Sequence, residues 1–208
     1  MVKCLLSIVL MAAAAFGQYK VAPAEAPPPE LAAAIVAELH PAGQKIIAPD
    51  GKVWCEVWFR KQIPSASPTT ESDVTWKTMT PGALVGAIRF PNGGSDRRAQ
   101  PVKSGVYTLR FSFFPINGDH QGVAPQRDFL VLSPAAADQS LNPVSKFDDL
   151  MNMSRKVSGT PHPSVLSMWL IESDFTPGIE QMGEHDWVLK TAVGDAKIAL
   201  ILVGKAEG

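Results

Sequence analysis

Cysteine is scarce in this sequence: Cys4 and Cys55 are the whole supply in 208 residues. An excess of either charge is also lacking, with 19 basic against 20 acidic side chains and a formal net charge of -1. Nucleic-acid binders carry a basic excess or stripe, and this chain has neither, so no nucleic-acid partner is expected. The HExxH, CxxC and HxH patterns of metal and redox sites are missing, as is the GxSxG turn that exposes a nucleophilic serine. No repeat of fixed period recurs, which removes propellers and solenoids. What the chain does have is apolar and turn-forming material: 46% apolar and 19% charged residues, 18 Pro and 16 Gly. A disordered chain would be poorer in the first and richer in charge. The length suits one domain, or one with an appended segment.

The N-terminus reads as an export signal. Met1-Val2-Lys3 supplies one positive charge, Cys4 to Ala15 is apolar except for Ser7, and Ala15-Phe16-Gly17 offers small residues two apart for a signal peptidase. The run is shorter than the about 20 residues a spanning helix needs, and no later run is longer. Cleavage after Gly17 is expected, with no transmembrane segment left, so the mature chain would be periplasmic or extracellular. Cys4 stands too far upstream of the cleavage point to carry a lipid anchor. Cys55 then remains alone and no internal disulfide is available, which forgoes about 2–4 kcal/mol. A chain of about 190 residues buries roughly 70% of its unfolded-state surface and manages without one.

Residues 18–29, Ala- and Pro-rich, read as an extended linker before a single domain over 30–208. Leu31, Ile35 and Leu39 recur every four residues, so Glu30 to His40 is expected to be helical, ended by Pro41 and Gly43. From Gln44 the period becomes two. Lys45 to Ala48 and Lys52 to Arg60 flank the turn Pro49-Asp50-Gly51, a hairpin. Further strand patterns lie at Leu84 to Phe90, Val106 to Phe114, Arg127 to Leu132, Val165 to Ile171, Trp187 to Val193 and Lys197 to Val203. A second helix is expected over Val144 to Lys156, with Phe147, Leu150, Met151 and Val157 on one stripe. The Ser/Thr/Pro-rich insert from Gln62 to Pro81 reads as a long crossing loop. About eight short strands, Gly/Pro turns and one or two short helices specify a mainly β fold, an antiparallel β-sandwich of immunoglobulin-like or related type.

Candidate chemistry is thin. Of the four histidines, His40, His120, His162 and His185, two, His120 and His162, lie in polar, turn-rich settings. Loops at one end of a sandwich cluster in space, so Asp119, His120, His162 and His185 with Asp186 are candidates for a polar-ligand site or a divalent transition metal. The competing reading is that each loop uses its Asp or His to bond its own backbone. A blue-copper site needs Cys, His and Met on one late loop, and the loop holding Met182, His185 and Asp186 has no Cys. Glu180, Glu184 and Asp186 form an acidic cluster of the kind any surface loop offers, and Arg97-Arg98 reads as a solvated basic pair. Strict alternation puts Cys55 with Val53, Val57 and Phe59, and Trp54 with Trp58 on the opposite face. That pair is either a stacking surface for sugars or an envelope partner, or is buried under a helix with Glu56 and Arg60 paired at the rim.

Several stretches resemble a group of exported bacterial proteins of unknown function. They are Glu56-Val57-Trp58-Phe59-Arg60, Gly105-Val106-Tyr107-Thr108-Leu109-Arg110, Gly118-Asp119-His120-Gln121-Gly122 with Arg127-Asp128-Phe129-Leu130, and Ser158-Gly159-Thr160-Pro161-His162-Pro163. The likeness spans roughly residues 30 to 170 and implies export without implying a reaction. It puts Asp119, His120 and His162 first among candidate site residues. The sequence expectation is therefore a non-catalytic exported protein that binds a small ligand or envelope protein through end loops, with no cofactor. The alternative is a metal-binding or metal-dependent protein built on Asp119, His120 and His162.

Overall fold

The computed structural model describes residues 17–116 and 126–205. In chain order the elements are β1 (Lys20–Ala24), α1 (Ala33–Glu38), β2 (Gly43–Ile47), β3 (Val53–Phe59), β4 (Leu84–Phe90), β5 (Gly94–Ser95), β6 (Pro101–Val102) and β7 (Gly105–Phe113). They continue with β8 (Asp128–Pro134), α2 (Phe147–Ser158), β9 (Val165–Leu170), β10 (Gly178–Met182), β11 (Asp186–Val193) and β12 (Ala196–Val203). The export signal expected at 1–17 lies, apart from Gly17, outside the described residues. Among the described residues no helix is long and apolar enough to cross a membrane.

The chain is mainly β and antiparallel, as the alternating pattern requires. Its strands do not, however, divide into the two stacked sheets of a sandwich. Ten of them form one sheet in the order β1-β2-β3-β4-β7-β8-β9-β12-β11-β10, and β5 and β6 form a small separate ladder. The long sheet curls until its edges approach. Tyr19, next to β1, packs tilted against Trp187 of β11 with ring centroids 5.1 Å apart, and Gln44 of β2 donates to Thr191 of β11 at 3.0 Å. The result is a nearly closed barrel. Strand twist accumulates across ten strands, and curling lets one apolar face bury itself against itself. Cys55, Val57, Ile88, Leu109, Phe111, Leu130, Leu200 and Leu202 fill the interior.

The outer face is covered where it is apolar. Leu31, Ile35 and Leu39 seat α1 and its flanks on Trp58, Leu84 and Ala87, and Leu150 and Met151 of α2 cover Phe129, Val131 and Val165. Gly159 ends α2 in the left-handed region at φ 66, its N–H donating to the Arg155 carbonyl. Phe147, expected on the buried stripe, is 43% exposed because it opens the helix rather than continuing its face.

Three further expectations change. The linker at 18–29 contains strand β1, paired along its length with β2. Pro23 is compatible with this because the strand lies at the edge, where a missing N–H breaks no second ladder. The Trp54/Trp58 pair does not share a face. A bulge pairs Ile46 with Cys55 and Ile47 with Val53, leaving Trp54 as the extra residue. Trp54 therefore packs with the interior set and donates to the Leu202 carbonyl at 3.0 Å, while Trp58, 1% exposed, lies under α1. No exposed two-tryptophan surface results. Finally, Glu56 and Arg60 do not pair with each other: Glu56 holds Arg89 and Lys45, and Arg60 holds Glu38.

Candidate functional site

The 62–81 insert is a loop, as expected, and it closes one end of the barrel. Its Val74, Trp76 and Met79 insert into the interior cluster, and Trp76 meets Phe111 edge-on at 5.8 Å. A buried carboxylate fixes the loop. Asp128, at the start of β8, accepts the backbone N–H of Thr75 and of Trp76, the latter at 2.8 Å, and the Thr75 hydroxyl. The same hydroxyl oxygen accepts the Leu170 N–H at 3.0 Å, so loop, β8 and β9 are tied at one point. Burial pushes the Asp128 carboxyl above its ordinary range, opposed by those hydrogen bonds. Arg127 adds a second tie, donating to the carbonyls of Phe114 and Ser72 and to Glu71.

Between this fixed loop and the end of β9 lies a cleft of about 1050 Å³, lined by Asp73, Thr75, Lys77, Trp169, Glu172 and Ser173 among others. Trp169 is half-buried, its neighbours Val188, Ala199 and Ile201 holding it against the outer face of β11 and β12. Asp73 sits in the left-handed region at φ 57, which Asp tolerates better than most residues. None of Asp73, Lys77 and Glu172 has an ion pair or hydrogen bond with another described side chain. These are unengaged polar groups around an indole. A second cleft of about 580 Å³, with His40, Lys61 and Asp195, opens on the other side of the same loop.

Asp119 and His120 lie outside the described residues. Their flanks, Phe113 ending β7 and Asp128 opening β8, stand at the cleft end of the barrel. His162 and His185 are at the opposite end, where β9 and β11 begin. His162 is exposed, and its backbone serves a turn: its N–H donates to Thr160 and its carbonyl accepts from Ser158 at 2.6 Å. The His185 side chain is 50% exposed, 3.8 Å from Glu184, beside a cleft of about 270 Å³ with Arg97, Asp186 and Lys205.

Arg97 and Arg98 are not a solvated pair. Arg97 forks onto Asp186 at 3.1 Å, and Arg98 donates to the Pro163 carbonyl at 2.7 Å. One short segment thus ties the His185 turn to the His162 turn, and Asp96, buried and raised in pKa by that burial, holds the segment through the Arg98 and Gln100 amides. The acidic cluster also dissolves into separate pairs, Glu180 with Lys190 and Asp186 with Arg97. Among the described residues no three His, Cys, Asp or Glu side chains converge as a metal site.

The cleft residues escaped the sequence reading because they fall in no motif and are far apart along the chain. The available signal was the length of the 62–81 insert, since loops that long are commonly functional. No protein family matches the chain, and neither a curated protein nor a solved structure matches it.

Proposed function

We propose that this is an exported, non-catalytic binding protein that holds a small polar ligand in the cleft between the 73–78 loop and β9. The observation that carries the reading is the cleft itself: large enough for a small molecule, braced by the Asp128 tie, and edged by the Asp73, Lys77 and Glu172 side chains, which have no ion-pair or hydrogen-bond partner among the described residues. Export rests on the Met1 to Gly17 pattern and on the resemblance to exported proteins. The test is thermal unfolding of the purified chain against a panel of sugars, amino acids, polyamines and nucleotides, alongside a Lys77→Ala/Glu172→Ala variant. Both residues are exposed, so the variant keeps the fold. At least one compound should raise the melting temperature of the parent and not of the variant. A panel without effect, or a shift that persists in the variant, would sink the proposal.

A further inference from the structure

The geometry points to a saccharide as the ligand of this cleft, an assignment that rests on the binding reading above. A sugar ring offers two surfaces at once: a C–H face that packs on an indole, and a rim of hydroxyls that each donate and accept. The cleft has a complement for both. Trp169 is held by Val188, Ala199 and Ile201, so little side-chain freedom is lost when a ring stacks on it. Around it stand Asp73 and Glu172, which only accept, Lys77, which only donates, and the Ser173 hydroxyl, which does both.

The charges disfavour a small anion, which would meet two carboxylates. A neutral polyhydroxyl compound can hydrogen-bond to both carboxylates and to Lys77 at once. That these side chains make no ion pair with the rest of the described chain leaves them available for such a ligand.

Isothermal titration of the purified chain with maltotriose, cellotriose and chitotriose, and with putrescine and glutamate as cationic and anionic probes, tests the assignment. One trisaccharide should bind, Trp169→Ala should weaken it by about tenfold or more, and Trp169→Phe should retain most of the affinity. Should Trp169→Ala misfold, Glu172→Ala and Lys77→Ala at exposed positions should each lower the affinity several-fold. Trisaccharide binding indifferent to these variants would place the sugar elsewhere and overturn the inference. Cleft-dependent binding of putrescine or glutamate would overturn it while leaving the binding function intact. Failure of every trisaccharide would overturn it as well, and the binding function falls only if the broader panel is also silent.

Discussion

Arg110 lies wholly buried on the outer side of β7, and all of its nitrogens are engaged: Nε and one terminal nitrogen hold Asp138, and the terminal nitrogens also reach the carbonyls of Gly82, Asn142 and Ser140. Such a pair is weak evidence for stability, but each partner makes the other indispensable, because a lone buried charge is costly. Asp128 is a different case, a buried carboxylate fixed by neutral donors. Its folded pKa is raised, so folding takes up protons; this contribution to stability is complete below the unfolded carboxylate range and is lost as pH rises through the raised value. Acidification from neutrality therefore favours the fold through this group. In Asp128→Asn, which cannot titrate, the rise of melting temperature between neutral pH and the carboxylate range should be smaller than in the parent. Equal pH slopes in the two proteins would contradict the assignment.

At the scale of elements, periodicity served well wherever one face decided the outcome. The 49–51 hairpin, both helices and strands β4, β7, β8, β9, β11 and β12 follow their sequence patterns. It failed at β3, where the bulge reverses the alternation for Trp54, and at β1 and β10, whose strand character comes from pairing with β2 and β11 rather than from residues of high β propensity. Gly82 shows how tightly the connections fit. It has φ +80, and a Cβ there would meet the backbone of Val144, whose N–H donates to the Gly82 carbonyl. Gly82→Ala should cost about 1–3 kcal/mol in denaturant unfolding, from the strained backbone and the displaced 140–146 segment. Stability within about 0.5 kcal/mol of the parent would show that the segment yields freely.

For the whole molecule, the consequence of scarce cysteine is a barrel held by apolar packing and hydrogen bonds. Cys55 is fully buried, and burial drives its thiol pKa upward, so it is neither a bridge nor a nucleophile. Dithiothreitol should leave the melting temperature unchanged, and a thiol reagent such as 5,5′-dithiobis(2-nitrobenzoic acid) should modify Cys55 only in denaturant; rapid labelling of the native protein would refute that packing. By itself, the sequence determined the mainly β class of the fold, the antiparallel direction of the strands and the burial of Cys55, because each follows from local alternation. Tertiary structure alone decided that the strands close into one curled sheet, that Arg97 and Arg98 clamp two distant turns, and that Asp73, Lys77, Trp169 and Glu172 surround one cleft. Those outcomes depend on which strand edges meet and on how far the sheet curls, which are properties of the assembled sheet that no local spacing of residues encodes.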